Sequence, residues 1–185
     1  MADINWAQVL VGQLDDHFTR QARPRLAGLS DAEYFWEPVD GWNLRRKTRA
    51  TPAEAFGGGD FTMDYVHPEP VPAPFTTIAW RLNHILVGIL GTRGARHFGG
   101  PPVSYESYAY AETAAEALRR LDESYARWVD GIRTLGDEQL TALCGEKEPM
   151  FSEAPMAALV LHINREMIHH LAEIALLRDL YAHEH

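Results

Sequence analysis

The sequence predicts an all-α protein: an antiparallel four-helix bundle made of two similar helix pairs, with a long irregular excursion between the first two helices. Three observations carry that expectation. Apolar residues recur at three- and four-residue steps in four separate stretches, the signature of helices that bury one face. Clusters of glycine and proline divide those stretches. The two halves also echo each other. Ala73-Pro74 followed by Leu82-Asn83-His84 matches Ala154-Pro155 followed by Ile163-Asn164-Arg165 at the same spacing, and Leu29-Ser30-Asp31-Ala32-Glu33 matches Leu135-Gly136-Asp137-Glu138-Gln139. Two such pairs close into one core as a bundle. Neither half can stand alone, so residues 1–185 form one expected domain.

The first helix is predicted over residues 4–22, with Trp6, Leu10, Gln13, Leu14, His17 and Gln21 sharing a face and Pro24 ending or kinking it. Ser30 with Glu33 is a capping box that opens a short helix through Phe35. Residues 38–74 are rich in proline and contain Gly57-Gly58-Gly59, so they predict a surface excursion with one short strand near Asn43–Arg45. Pro74 suits the first turn of a second helix running to about His97. That helix is apolar nearly all round and therefore central. Thr113 with Glu116 opens a third helix to Leu135, with Leu118, Leu121, Tyr125, Trp128, Val129 and Ile132 inward and Gly136 as its C-terminal cap. Asp137–Cys144 is a further short helix. The fourth long helix is Pro155–Tyr181, where Met156, Val160, Ile163, Met167, Leu171 and Ile174 form one face.

Composition narrows the function. A formal net charge of −9 argues against a nucleic-acid or anionic-membrane surface. No apolar run reaches the roughly 18 residues of a membrane span, and the N-terminal segment lacks a leader pattern. The single cysteine, Cys144, excludes an internal disulfide; together these point to the cytoplasm. There is no nucleophile elbow, phosphate loop or dinucleotide fingerprint.

What remains is the fourth helix. His170 projects into its apolar face and Glu166 onto the edge, with His162 and Glu173 flanking. Buried titratable groups need partners, and residues one turn apart can reach the same point. Glu166 and His170 thus have the geometry of two metal ligands. A third should come from a facing helix, and His84 at mid-length of the second helix is the best placed. His17 is a reserve. His162 and His169 point outward, toward the surface or the entry to a site. Two imidazoles and one carboxylate suit zinc, and also nickel, iron or manganese. Arg165 faces away from the apolar side and should pair with an acidic residue of another element. Trp36 and Trp42 are placed to line the mouth of a site.

Trp80-Arg81-Leu82-Asn83-His84-Ile85 and Asn164-Arg165-Glu166-Met167-Ile168-His169-His170 resemble the DinB superfamily, and so does Leu29–Tyr34 with Trp36-Glu37-Pro38. Those proteins are metal-binding four-helix bundles that include thiol-dependent S-transferases and a mycothiol-dependent maleylpyruvate isomerase. Many relatives carry His-x-x-x-His on the last helix; Glu166 and His170 depart from it and are similar to the isomerase's His, Glu and His set. The resemblance implies His84, Glu166 and His170 as ligands of a divalent metal. It also implies an enzyme that joins a low-molecular-weight thiol such as mycothiol to a small electrophile, by S-transfer or isomerisation, in a homodimer. Two other classes compete: a non-catalytic bundle that binds metal or a small ligand through a closed site, and a metal-free interaction protein in which Glu166 and His170 are an ion pair.

Overall fold

The computed structural model describes residues 4–51 and 55–185; the first three residues and residues 52–54 of the predicted excursion lie outside it. Helix accounts for 58% of the chain, a majority, as the periodicity requires. Four short strands depart from the all-α expectation.

Helix α1 begins at Trp6–His17, capped by Asn5, whose Oδ1 accepts from the Gln8 amide at 3.0 Å. It continues to the predicted end through a π-helical stretch, Phe18–Ala22, and passes it by one last turn, Arg23–Arg25. The wider turn explains how Pro24 is tolerated. The Arg23 amide bonds back to the Phe18 carbonyl, five residues away, which relaxes the crowding a proline ring imposes on the preceding turn. The buried face is Ala7, Val11, Leu14, Phe18 and Ala22, not the predicted one: Trp6 is half exposed, and Gln13 and Gln21 lie outward. The short helix α2 is Asp31–Tyr34. Ser30 caps it, but Glu33 turns away from the cap to pair with Arg178 at 2.6 Å.

The excursion is more ordered than its composition suggests. Strands β1 (Gly41–Trp42) and β4 (Phe75–Thr76) pair in parallel, and β2 (Leu44–Arg46) and β3 (Phe61–Met63) pair antiparallel. Buried Asn43 joins the two ladders. Its Nδ2 donates to the Phe35 carbonyl at 3.0 Å, and its Oδ1 accepts from the Thr77 hydroxyl at 2.8 Å. The Gly57–Gly59 run packs on residues 107–109. A Cβ on Gly58 would stand 2.2 Å from the Ser107 carbonyl, so the close approach requires glycine.

Helix α3 starts later than predicted because Thr77, not Pro74, provides the cap. It runs through Ile78–His84, a π-helical turn Ile85–Ile89, and Gly91–Phe98. Helix α4 is Ala114–Arg133, with every predicted inward residue buried. Gly136 does not cap α4; it is the N-cap of α5 (Asp137–Thr141), bonded through its amide to Gln139 at 2.8 Å. Helix α6 is Met156–Glu184, and all six residues of its predicted face are buried.

The four long helices form a closed ring in which α1 and α3 each pack on both α4 and α6. Side-chain pairs fix the directions. Leu10 meets Asn164 and Arg25 meets Asp179, so α1 and α6 run parallel. Arg81 meets Glu173 and His84 meets His170, so α3 and α6 are antiparallel. Arg23 meets Asp122 and Asp15 meets Arg133, so α1 and α4 are antiparallel, while Asn83 near Ala111 and Phe98 near Trp128 make α3 and α4 parallel. The bundle is up-down-down-up. Each half places its two long helices on a diagonal with a short helix between, which corrects the simple antiparallel expectation and agrees with two similar halves. No helix of the described residues is long and apolar enough to cross a membrane.

Candidate metal centre

Helices α3 and α6 bring His84, Glu166 and His170 to one place. The two imidazoles meet edge to face, with ring centroids 5.0 Å apart and planes at 81°. His170 Nε2 lies 3.8 Å from Glu166 Oε2, one helical turn below. Each ring is held from behind. His84 Nδ1 bonds the Tyr105 hydroxyl at 2.7 Å, and His170 Nδ1 donates to Glu173 Oε2 at 2.8 Å. At His170, with Nδ1 donating to a carboxylate, Nε2 keeps its lone pair on the side of Glu166. A carboxylate behind the far nitrogen of a ligating histidine fixes its tautomer and orientation. Glu173 is itself gripped by Arg81.

Burial, the largest influence on both rings, favours the neutral form a metal requires. It pushes His84 down to about 4, with Glu166 partly opposing, and His170 down to about 3, reinforced by His84 and Arg81. Burial also draws Arg81 down to about 10, which leaves it a cation at neutral pH. Tyr105 reaches His84 only because residue 88 is glycine: a Cβ there would stand 2.0 Å from the tyrosine oxygen. The π-helical turn Ile85–Ile89 supplies that gap beside the site, a common place for such turns.

A second grouping is more compact. Ligand atoms of His169, His170 and Glu173 all lie within 4.8 Å of one another, which His84, Glu166 and His170 do not match. Electrostatics favours the looser set. His169 is 60% exposed, and the Glu173 carboxylate is already neutralised by Arg81, whose guanidinium would repel a metal ion placed there.

The remaining expectations divide. His162 is half-buried, with its Nδ1 3.7 Å from Glu166, and His169 is outward as predicted. Among the described residues Arg165 reaches no other element; it bonds His162 at 2.8 Å and stands 3.7 Å from Glu166 on its own helix. His17 is not in the cluster, and its buried Nε2 finds no hydrogen-bond partner among the described residues. Cys144 is buried, and burial followed by the charge of Glu148 raises its thiol pKa, as an unreactive cysteine requires. Trp36 packs on Tyr181 and His185, away from the site.

A cavity of about 390 Å³ opens on His84, lined also by Phe56, Met63, Tyr65, Trp80, Tyr105 and Glu106. A larger one of about 710 Å³ shares Phe56, Met63 and Tyr65 and reaches Trp42, Arg45 and Arg46. The excursion therefore walls the approach to the centre, with the Trp80 indole N–H bonded to the Asp64 carbonyl at 2.8 Å. Sequence alone did not give Tyr105, Gly88 or Arg81 a role. Glu173 was legible as a neighbour of His170 at i+3 but not as its partner.

The fold and the cluster define a class: a helical bundle with an imidazole–carboxylate centre between facing helices. The chain belongs to the DinB superfamily, whose family model matches residues 13–174. No curated protein and no solved structure matches it.

Proposed function

We propose that the protein is a divalent-metal-dependent enzyme that joins a low-molecular-weight thiol to a small electrophile, by S-transfer or by addition that permits isomerisation. The observation that supports it is the pair of imidazoles that meet at 5.0 Å between centroids, bonded through Nδ1 to Tyr105 and Glu173, with His170 Nε2 3.8 Å from Glu166. His84, Glu166 and His170 would hold the ion, zinc first among zinc, nickel, iron and manganese. When bound there, a divalent metal acts as a Lewis acid that lowers the pKa of a thiol and keeps it as thiolate.

The residues around it orient and shield. Trp80 stacks on His84 at 5.2 Å between centroids and, with Phe56, Met63 and Tyr65, gives the electrophile an apolar wall that excludes water. In S-transfer the sulfur bonds to the electrophilic carbon, the leaving group departs with its electron pair, and the thiol proton passes to solvent through the cavity. A small-molecule substrate, a cytoplasmic site of action and a homodimer belong to the same proposal. The ion-pair alternative requires a protonated His170, and burial opposes that charge.

The test is turnover. Zinc-loaded protein should conjugate an electrophile with mycothiol, bacillithiol or glutathione. Stoichiometric metal with no thiol-dependent turnover of any electrophile would leave a binding bundle in its place.

A further inference from the structure

Helices α1 and α6 carry more apolar residues than the core covers. Trp6, Val9, Leu161, Leu176 and Leu180 are each between 45% and 60% exposed, and Trp6 and Val9, one turn apart, lie outside the buried face of α1. On α6, Leu161, Arg165, Ile168, Ala172, Leu176 and Leu180 recur at three- and four-residue steps on the side away from buried Ile163, Met167 and Ile174, and Arg165 is the only charge among them. The two helices are neighbours, and with α5 they enclose an open groove of about 380 Å³ between Trp6, Leu10, Leu140, Ala157 and Leu161. By contrast, no large apolar side chain of α3 or α4 is exposed, and the outer face of α4 is Arg119, Glu123, Arg127 and Asp130. A helix that is apolar on two sides calls for cover on both.

Charge and area say what can supply that cover. The chain carries a formal net charge of −9, so two copies repel across most of their surface. The α1–α6 face is close to neutral. Asp16 pairs with Arg20 at 2.9 Å, Asp179 with Arg25 at 2.5 Å, and Arg165 stands 3.7 Å from Glu166. Asp137 lies at the end of the groove, where a rim charge stays in water. At their exposures the five large side chains leave on the order of 500 Å² in water, and a homodimer of standard size covers about 800 Å² per partner, roughly two-thirds of it apolar.

We propose that the α1–α6 face binds a second copy of this chain across a two-fold axis. Such an interface brings the same patch together from both sides, so a neutral apolar face meets its like without repulsion. His170 lies on the side of α6 that meets His84 of α3, so the partner leaves the cavity beside His84 open. The homodimer of the proposed function thus has a defined face, which stands or falls without the thiol chemistry.

Sedimentation velocity of the full chain should show a dimer at micromolar concentration. Leu161→Glu and Leu176→Glu, at exposed positions where the fold should persist by circular dichroism, should each raise the dimer dissociation constant at least about 100-fold, because each places two unpaired carboxylates in the interface. Val71→Glu, on the excursion and 98% exposed, should leave the dimer unchanged. Hydroxyl-radical footprinting of the wild type needs no variant: Trp6 and Leu176 should become protected as concentration rises through the dissociation constant. A monomer at high micromolar concentration overturns the proposal, whether or not it binds lipid vesicles. So does a dimer that survives both α6 variants, or one in which Trp6 and Leu176 stay unprotected. Turnover, assayed separately, keeps the two proposals apart. A dimer that joins no thiol to an electrophile would sink the enzyme proposal alone, and a monomer that does so would sink this one alone.

Discussion

At the scale of single residues, the outer partners of the two histidines decide how well the centre is formed. Glu173→Ala frees His170 to rotate, and Tyr105→Phe removes the group that holds His84 Nδ1. Each change should lower zinc affinity about 10- to 100-fold with the bundle intact, because loss of an outer-shell partner has effects of that size. Chelator competition measures it; wild-type affinity in both variants would show that the rings need no such support. Gly88→Ala should act like Tyr105→Phe, since the new methyl group displaces the tyrosine oxygen. The sequence placed Gly88 beside His84 on the helix, yet its purpose depends on Tyr105, which is 17 positions further on and comes close only through folding.

Among the elements, α3 depends on its anchorage at both ends. Thr77 is fully buried; its hydroxyl caps Trp80 and donates to Asn43. Thr77→Ala should cost roughly 1–2 kcal/mol in urea unfolding, the range for a lost cap at such a site. At the other end, Glu148, 2% exposed, joins the segment before α6 to Arg93, Arg96 and His97 on α3. Burial works against its ionisation, but the hydrogen bond from His97 and the two arginines outweigh it and hold the carboxyl below its usual range. A carboxyl depressed in the folded state stabilises fully above its unfolded pKa, about 4.3, and that contribution is lost as pH falls through the lower folded value. The metal-free protein should therefore lose stability steeply below about pH 4.3. Glu148→Gln, already deprived of that contribution at neutral pH, should show a shallower decline. Equal acid sensitivity in wild type and variant would remove Glu148 from the account.

Over the whole molecule, the long helices were legible because each carries a repeating apolar face, and α4 and α6 agree with their predicted faces residue by residue. Helix α1 was misread at its buried face: Ala7 and Val11 pack inward, one position on from the predicted Trp6 and Leu10, and the adjacent apolar pairs Trp6-Ala7 and Leu10-Val11 leave the angle of the stripe open. Strands of two or three residues lack the length for a period-two signal, so β1, β3 and β4 stayed hidden in a proline-rich segment. Helix direction was equally beyond the pattern, because periodicity says which face is buried and not which neighbour covers it. The site was half legible. Glu166 and His170 share a helix, and the match to His84 needed only a facing helix, whereas Tyr105 and Arg81 became meaningful through tertiary contact. Circular dichroism should report helix as the majority structure, and a minority would contradict the fold.

Two overlapping clusters are candidates to hold a metal ion, and they share only His170. The most direct test is zinc stoichiometry and affinity in four single variants: His84→Ala, Glu166→Ala, His169→Ala and Glu173→Gln. A centre built from His84, Glu166 and His170 predicts that His84→Ala and Glu166→Ala lose most of the bound zinc, because each leaves only two ligands. It predicts that His169→Ala binds like wild type and that Glu173→Gln, which keeps a hydrogen-bond acceptor for His170, is only modestly weakened. Loss of zinc in His169→Ala with full binding in His84→Ala would contradict that assignment and move the centre to His169, His170 and Glu173.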